Sequence, residues 1–484
     1  MKLIVVYDDT GRKSEVIADI IGEKGFADVV VKKKCLEDYF KECIEGHFKN
    51  LFWKKIRSSY EYAGLSGDLE VVASQDVKIL HLFSNYIVSD KEKALLSFDK
   101  IYYIDEPYAA MDGKMVVAAM FPDLQTYAIF CKAVASGQKA WDKAREIEEH
   151  FNSAGMVDIG IISNFIQCIT GNFDSRYFNS LKGNEYTIVK SSTNKKKIKA
   201  EYEFYHLLPE DMKYWFVLPF DYREDQDRAS YTMERLHMTD LAVKWVHGSM
   251  DASEFELLMD KYFYFFKCRH RKACSRKEYA RMAGDLYEKK VNERIETLKS
   301  LNEYTAIASL LEVSKNTTLE YLVEKYYSLK KTIEAGNKYE TIHVIGHGDP
   351  CFANTLYNKS TQTLKFIDPK GASSEEDLWT NPYYDVAKLS HSVCGRYDFF
   401  NNGLYDIHIA EDFTYDLEIP FDNSYYKEIF KRKVEENGFD YLTVRIYEAS
   451  LFLSMLPLHI DNPHKVFGFI LNVKNILEEI EKDV

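Results

Sequence analysis

Two short segments in the last third of the chain carry the residue types that phosphate chemistry needs. The first, H-G-D-P-C-F-A-N, contains His347, Asp349 and Asn354, and the second, L-K-F-I-D-P-K-G, ends an apolar strand at Asp368. One carboxylate can accept the proton of an attacking hydroxyl, while an amide oxygen and another carboxylate can hold Mg²⁺ against the phosphates of ATP. Because phosphoryl transfer depends mainly on positioning and charge neutralisation, this spacing predicts a phosphoryl-transfer site.

A lysine and a glutamate upstream have the spacing of a phosphate-binding ion pair. Lys190 ends the predicted strand Y-T-I-V-K, and Glu201 opens the predicted helix E-Y-E-F-Y-H-L-L eleven residues later. A strand lysine held by a helix glutamate reaches the α- and β-phosphates of ATP in kinases. Glu203 is an alternative partner on the same helix, and an exposed lysine beside a solvated helix face is the alternative to an ion pair.

Together these residues resemble a known enzyme family. H-G-D-x-x-x-x-N followed by I-D-P resembles the catalytic and metal-binding loops of the aminoglycoside phosphotransferase and choline kinase family, over about residues 160–484. The resemblance implies a bilobal protein-kinase-like fold in which Asp349 is the catalytic base and Asn354 and Asp368 bind Mg²⁺. It also implies that His347 packs inside the catalytic loop and supports its shape.

The resemblance assigns nucleotide-binding roles to two further segments. The turn T-G-N-F-D-S, between the first two predicted strands of this region, would cradle phosphate oxygens with its backbone amides. The segment Y-T-M-E-R-L would be the hinge between the lobes, where backbone groups meet the adenine edge. The residues implied are Gly171, Asn172, Ser175, Met233, Glu234 and Arg235.

A third segment, N-P-Y-Y-D-V-A-K-L at 381–389, places Asp385 at the start of a predicted helix after the metal loop. In the family an aspartate here braces the catalytic loop. A carboxylate in the first turn of a helix is also favoured by the helix dipole, and both interpretations can hold together.

Two departures from protein kinases indicate a small-molecule acceptor. Cys351 occupies the position two residues after Asp349, where protein kinases usually carry a lysine that touches the γ-phosphate. Only sixteen residues separate Asp368 from Asp385, which leaves no room for a full activation segment and peptide platform. We therefore expect the acceptor to be a hydroxyl of a sugar, an amino alcohol or a similar compound.

The overall composition limits the classes of partner. The 484 residues suffice for two or three domains, and 46% of them are hydrophobic. A formal charge of −13 argues against nucleic acid and anionic membranes as partners, and no stretch is long and apolar enough for membrane insertion. The eight cysteines show no paired spacing, which predicts a reduced cytoplasmic chain without a zinc site.

The order of predicted elements suggests three domains. Residues 1–155 alternate strands and helices, which predicts an α/β domain with a mostly parallel sheet, Rossmann-like or nucleotide-diphospho-sugar-like. Residues 156–235 would form a kinase-like N-lobe of a small antiparallel sheet and one helix, and residues 236–484 a mostly helical C-lobe. The predicted strands are 3–7, 27–31, 69–73, 77–83, 100–104, 115–119, 165–170, 175–181, 185–191, 214–218 and 230–234. The predicted helices are 14–25, 36–59, 124–151, 198–208 and 466–482.

Acidic residues also follow two predicted strands of the first domain. Asp8 and Asp9 end the first strand, and Asp105 and Glu106 end the predicted strand in Y-Y-I-D-E. Ligands commonly bind at strand ends in open α/β sheets, so a metal pair or a catalytic carboxylate is one interpretation. Acidic residues that merely close a strand are the simpler alternative.

These observations lead to a main hypothesis and two alternatives. The main hypothesis is an ATP- and Mg²⁺-dependent small-molecule kinase, in a setting such as the synthesis of surface-glycan precursors. The first alternative is a nucleotide-binding scaffold, a decayed kinase, fused to an active nucleotidyl- or glycosyltransferase-like N-terminal domain. The second is a protein kinase with an atypical substrate platform, against which Cys351 and the short segment before Asp385 argue.

Overall fold

The computed structural model describes residues 2–31, 33–72, 77–169, 186–337 and 339–484. The chain forms two compact units, residues 1–178 and residues 179–484. The first unit extends beyond the predicted boundary after residue 155. It includes the helix Ile162–Ile169, whose Phe165 ring lies edge-on to Phe26 with 6.3 Å between ring centroids.

The first unit is built around a mixed β-sheet. Its described strands are β1 Lys2–Asp8, β2 Val30–Val31, β3 Lys34–Cys35, β4 Leu51–Ile56, β5 Val77–Phe83, β6 Tyr86–Val88, β7 Tyr108–Asp112, β8 Met115–Phe121, β9 Glu149–Asn152 and β10 Met156–Asp158. The main sheet has the order β4-β1-β5-β8-β7-β9. β1 is parallel to β4 and β5, and β7 is parallel to β9, but β8 is antiparallel to both neighbours. β7 and β8 form a hairpin whose two-residue loop is Gly113 and Lys114, with Gly113 at a φ of +60°.

Helices of the first unit correct several sequence predictions. They are α1 Glu15–Ile21, α2 Leu36–Glu45, α3 Tyr62–Glu70, α4 Lys91–Phe98, α5 Leu124–Ala135, α6 Ala140–Ala144 and α7 Ile162–Ile169. The predicted helix 36–59 stops at Glu45, and β4 follows it. The predicted strand 69–73 overlaps the end of α3, where Leu69 continues the buried helical face of Tyr62 and Leu65. The predicted strand 100–104 overlaps the 3₁₀ helix Asp99–Tyr102, so Asp105 and Glu106 do not follow a strand.

The described residues of the second unit form four small sheets. Its described strands are β11 Thr187–Ser192, β12 Pro219–Glu224, β13 Ala229–Glu234, β14 Thr239–Asp240, β15 Arg271–Ala273, β16 Ile342–Ile345, β17 Thr355–Asn358, β18 Thr363–Phe366, β19 Trp379–Thr380, β20 Asp406–Ile409 and β21 Tyr415–Glu418. The orders are β11-β13-β12, β14-β17-β18, β15-β16-β19 and β20-β21. The predicted strands 185–191 and 230–234 are confirmed as β11 and β13. The predicted strand 214–218 is wrong, because Trp215 lies in a turn and Phe216 forms an isolated parallel β-bridge with Phe366.

Helices make up most of the second unit beyond residue 236, as predicted. They are α8 Lys195–Leu207, α9 Glu210–Lys213, α10 Leu241–Val246, α11 Ala252–Cys268, α12 Arg276–Gly284, α13 Lys290–Lys299, α14 Tyr304–Val313, α15 Leu319–Gly336, α16 Tyr384–Val393, α17 Tyr397–Asn401, α18 Ser424–Glu436, α19 Tyr441–Met455 and α20 Pro463–Asp483. α8 joins β11 to the rest of its sheet and buries Ile198 against Ala229 and Tyr231 of β13. The predicted strand 165–170 is helical as α7, and the predicted strand 175–181 lies outside the described residues.

Each unit has its own hydrophobic core. The large buried cluster of the first unit runs from Leu3 to Met156, and that of the second runs from Phe204 to Ile480. The two clusters have no residue in common. A search of the described helices finds none with the length and apolarity that crossing a bilayer demands.

Candidate active site

A buried carboxylate anchors the H-G-D segment, which follows β16, to helix α16. Asp385, in the first turn of α16, is fully buried. Its Oδ2 accepts a hydrogen bond from the backbone N–H of His347 at 3.0 Å, and its Oδ1 accepts one from Gly348 at 2.8 Å. The buried guanidinium of Arg269 also donates to Oδ2, at 3.2 Å. Since a buried charge is stable only when it is paired and hydrogen-bonded, Asp385 fixes the backbone at the start of the loop.

His347 joins this loop to the end of β18. Its Nδ1 accepts the backbone N–H of Asp349 at 3.0 Å, which leaves the ring proton on Nε2, and Nε2 donates to the carbonyl of Ile367 at 2.9 Å. The ring is fully buried and stacks on Phe216, with 5.8 Å between centroids. Burial lowers the pKa of the imidazole below its usual value. His347 is therefore neutral, and its two hydrogen bonds connect the segment that carries Asp349 to the segment that carries Asp368.

Both carboxylate oxygens of Asp349 have partners. Oδ2 accepts from Asn354 Nδ2 at 3.0 Å, and the same nitrogen donates to the Asp349 carbonyl. Oδ1 lies 3.0 Å from Lys388 Nζ, on α16. Partial burial raises the pKa of the carboxyl, but Lys388 outweighs this effect and holds it below the usual value. The side chain is nevertheless 40% exposed, so an ionised carboxylate in a fixed orientation is accessible to a hydroxyl.

Lys190 bridges two carboxylates. Its Nζ lies 2.7 Å from Glu201 Oε2 and 2.7 Å from Asp368 Oδ1. Tyr231, the cross-strand partner of Lys190, donates its hydroxyl to Glu201 at 3.2 Å. Burial lowers the pKa of Lys190, but the two carboxylates outweigh it and raise the pKa above the usual value. Glu203 instead lies 3.7 Å from Lys199, so Glu201 is the partner of Lys190.

Asn354 and Asp368 are brought together by the backbone, where the N–H of Ile367 donates to the Asn354 carbonyl at 3.0 Å. Asp368 adopts a left-handed φ of +55°, and its side chain is 45% exposed. Asn354 uses its amide nitrogen for Asp349, which leaves the amide oxygen for a cation. Carboxylate and amide oxygens suit Mg²⁺, which usually takes few protein ligands together with water and phosphate oxygens. Within the described ranges, no three His, Cys, Asp or Glu side chains cluster as a metal site of their own.

A narrow apolar cleft adjoins Lys190 and Asp368. Phe204, Phe216, Tyr231, Met233 and Phe366 contribute to its walls. Its volume is about 20 Å³, little more than the roughly 10–15 Å³ that one water molecule needs. The walls have the apolar, aromatic character that suits a nucleotide base, but a base would enter only if they moved apart.

The segment predicted as a hinge lies at the end of β13. The N–H of Glu234 donates to the Leu218 carbonyl at 3.3 Å, and the N–H of Arg235 donates to the Tyr186 carbonyl at 2.8 Å. Met233 is within β13, the central strand of its sheet, and lines the cleft. Of the backbone groups expected at the adenine edge, the N–H groups of Glu234 and Arg235 are thus occupied by neighbouring chain segments. The link towards α10 follows at 235–238.

Gly171, Asn172 and Ser175, predicted to cradle phosphate oxygens, lie outside the described residues. Asp349, Asn354, Asp368, Lys190, Glu201, His347 and Asp385 belong to one connected set of contacts.

Acidic residues of the first unit are engaged internally. Asp8 is 3% exposed, and its carboxylate accepts from Tyr62 at 2.7 Å and from the Thr10 N–H at 2.8 Å. Asp9 accepts from Ser84 at 2.6 Å and from the backbone of Ala27 at 3.0 Å. These hydrogen bonds give Asp8 and Asp9 a structural role at the end of β1.

Sequence reasoning missed Lys388 and Arg269, the cations beside Asp349 and Asp385. Lys388 had a signal, since it follows Asp385 by three residues and therefore lies one helical turn along the same face of α16. Arg269 had none, because it comes from the end of α11, more than a hundred residues earlier.

Comparisons with known proteins give a weak structural likeness. No protein-family model matches the chain, and no curated protein matches it significantly. Among solved structures, it is similar to a thermostable mutant of aminoglycoside phosphotransferase APH(4)-Ia in the apo form, with 11% identity and a TM-score of 0.35. It is also similar to a thermostable mutant of the same enzyme in a ternary complex with AMP-PNP and hygromycin B, with 12% identity and a TM-score of 0.34. Each likeness covers 62% of this chain and 92% of the other.

Proposed function

We propose that this protein is an ATP- and Mg²⁺-dependent kinase of a small molecule that carries a hydroxyl, such as a sugar or an amino alcohol. The observation that carries the proposal is the convergence of Lys190, Glu201, Asp349, Asn354 and Asp368, from separate segments, into one set of contacts. We favour an acceptor that is a precursor of a surface glycan. The reason is that the fusion of an α/β unit to the kinase-like part suggests two steps of one pathway.

In this proposal Lys190 binds phosphate oxygens of ATP while Glu201 keeps its ammonium in place. Asp349 orients the acceptor hydroxyl and takes its proton as that oxygen bonds to the γ-phosphorus. The bond from this phosphorus to the bridging oxygen then breaks, and the electron pair leaves with ADP.

Asn354 and Asp368 would hold Mg²⁺ through the amide oxygen and the carboxylate. The bound metal supplies charge neutralisation for the phosphate oxygens. Lys190 would exchange the exposed Asp368 for phosphate, which frees that carboxylate for the metal. The narrow cleft beside Met233 would widen to admit the adenine.

A ³¹P NMR screen tests the proposal. The full chain is mixed with Mg-ATP and pools of sugars, amino alcohols and nucleosides, beside Asp349→Asn and the control Asp416→Asn, an exposed aspartate on β21. We expect a new phosphomonoester signal from the wild type and the control. Loss of the general base should slow its formation by about 100- to 10,000-fold in Asp349→Asn.

The outcomes separate the proposal from its alternatives. Equal product from Asp349→Asn and the wild type would exclude Asp349 as the base. Binding of ATP without any product would favour the nucleotide-binding scaffold. Labelled phosphate on a protein rather than on a small molecule would favour the protein kinase.

A further inference from the structure

Lys388 lies against Asp349 and keeps that carboxyl ionised, but it has had no role towards a substrate so far. It is on α16, one helical turn after Asp385, and its Nζ lies 3.0 Å from Asp349 Oδ1. Its side chain is only 18% exposed, so it is held rather than free in solvent. Among the ion pairs of the described residues, Asp349 is its one carboxylate partner and it is the one cation partner of Asp349.

Strengthening Asp349 as a base does not explain this contact. A neighbouring cation stabilises the carboxylate and therefore makes it a weaker proton acceptor. Orienting Asp349 does not require a cation either, because Asn354 already donates to Oδ2 and His347 fixes the Asp349 backbone. The ammonium therefore serves something that arrives beside the carboxylate.

The reacting phosphorus must come close to this point. A base lies about 3 Å from the hydroxyl it deprotonates, and that oxygen lies about 3 Å from the atom it attacks. An ammonium 3.0 Å from the carboxylate, on a flexible stem with three donors, can reach an oxygen of the transferred phosphoryl group.

The other lysines near the loop have different positions, and Lys190 is already assigned to the phosphate oxygens of ATP. Lys190 lies on Glu201 and Asp368, and Lys370 directs its ammonium at the carbonyls of Leu378 and Trp379, at 3.4 and 3.3 Å. Cys351, two residues after Asp349, is a buried free cysteine and supplies no positive charge to the loop.

We infer that Lys388 is a catalytic residue that contacts an oxygen of the transferred phosphoryl group while Asp349 takes the acceptor proton. The inference rests on the proposed kinase function. Lys388 supplies positive charge where the entering oxygen bonds to phosphorus, and it keeps its own proton throughout. Fixed charge aimed at a transition state acts on kcat more than on substrate binding.

Three variants of the full chain test this role. Lys388→Gln removes the charge at similar length, and Lys388→Arg retains it. Lys325→Gln is the matched control, because Lys325 is also mostly buried, at 11% exposure, and lies 2.7 Å from Glu481. ADP formation is followed with Mg-ATP and the acceptor pool of the ³¹P screen, and circular dichroism melts check folding.

We expect Lys388→Gln to lower the apparent kcat by about 100-fold. Its KM for ATP should stay within about threefold of the wild-type value, as for an interaction made only in the transition state. Lys388→Arg should retain about a tenth or more of the kcat, and Lys325→Gln should behave as the wild type.

Three results would overturn the inference and leave the kinase proposal intact. The first is a kcat of Lys388→Gln within threefold of the wild-type value, and the second is a change in Lys388→Gln that is confined to the KM for ATP. The third is an equal loss of kcat in folded Lys388→Gln and Lys388→Arg. If Lys388→Gln does not fold, Lys388→Met takes its place as the variant without the charge, and the same three results would overturn the inference. Absence of Asp349-dependent turnover in the wild type would instead refute the kinase proposal itself.

Discussion

Lys190 contacts two carboxylates that differ sharply in exposure. Glu201 is 2% exposed, whereas Asp368 is 45% exposed. Removing the cation from a buried carboxylate costs several kcal/mol, so Lys190 and Glu201 form the permanent pair. The contact with Asp368 is weaker because solvent screens it, and an incoming phosphate can replace it. This asymmetry is consistent with the nucleotide-binding role that we propose for Lys190.

His391 predicts a pH dependence of stability. It is 2% exposed, lies between Tyr397 and Phe452, and neither ring nitrogen has a hydrogen-bond partner within the described chain. Burial lowers its pKa well below the usual value, and the positive charge of Lys388 adds to this effect. Below about pH 6.5 the unfolded chain binds a proton that the folded chain does not, so stability is lost as the pH falls.

We expect His391→Leu to flatten the dependence of the unfolding free energy on pH by about 1.4 kcal/mol per pH unit, between about pH 6.5 and 5. Guanidinium unfolding of both proteins at several pH values measures the slopes. His408→Leu is the control, since His408 is 57% exposed. Equal slopes for His391→Leu and the wild type would contradict the prediction.

At this scale the sequence could predict residues whose spacing along the chain carries the signal. Lys190 and Glu201 are eleven residues apart on a strand and the helix after it, and the structure pairs them. Whether the Asp349 set performs phosphoryl transfer stays a prediction until product is measured. Lys388 and Arg269 escaped because their contacts depend on how α11 and α16 pack around the loop, and spacing does not encode that.

At the scale of elements, the loop between β16 and β17 depends on close backbone approach. Gly348 has a φ of +88°, which side-chain-bearing residues rarely adopt, and an added Cβ would lie 2.5 Å from Lys370 Cβ. The Gly348 N–H also donates to Asp385. An alanine here would displace the backbone that precedes Asp349.

We expect Gly348→Ala to lower the free energy of unfolding by about 1–3 kcal/mol and to reduce ATP turnover. Gly284→Ala at the end of α12 is the control, because its Cβ would meet nothing within 4 Å and alanine favours helix. Chemical denaturation and ADP formation give both quantities. A Gly348→Ala protein as stable and as active as Gly284→Ala would show that the loop tolerates a Cβ.

The predicted helices and strands are wrong where the spacing of the apolar residues indicates a different element. Ile162, Phe165, Ile166 and Ile169 repeat at helical spacing, yet the segment from 165 was predicted as a strand, and it is α7. The Asp-Gly pair at 112–113 is a strong hairpin signal that the expectation of a mostly parallel sheet ignored. β13 shows the alternation of a strand, with Ala229 and Tyr231 buried on either side of Ser230. α8 buries residues at a spacing of three, Ile198, Glu201 and Phe204, which is close to one helical turn.

At the scale of the whole molecule, two hydrophobic cores share one chain. The first unit buries apolar side chains of its own strands and helices, and so does the second. All the residues assigned to phosphoryl transfer that the structure describes belong to the second unit. Its candidate site gathers three cations, but they are paired with four carboxylates, so the site has no excess of positive side chains. A phosphate anion would therefore depend on bound Mg²⁺ for part of its charge neutralisation. The cations are Lys190, Lys388 and Arg269, and the carboxylates are Glu201, Asp368, Asp349 and Asp385.

Because each unit has its own hydrophobic core, each should fold when it is produced without the other. We expect residues 179–484, produced alone, to unfold cooperatively and to keep Asp349-dependent ATP turnover, since domains with their own core can fold alone. Because this fragment lacks Gly171, Asn172 and Ser175, its KM for ATP should rise if those residues cradle phosphate as predicted. Residues 1–178, produced alone, should fold but show no Asp349-dependent turnover, because they lack every candidate-site residue that the structure describes. Calorimetry of the three proteins and ADP formation with Mg-ATP provide the comparison. A 179–484 fragment that folds but is inactive would mean that the first unit contributes to catalysis, and one that does not fold would mean that its core needs the first unit.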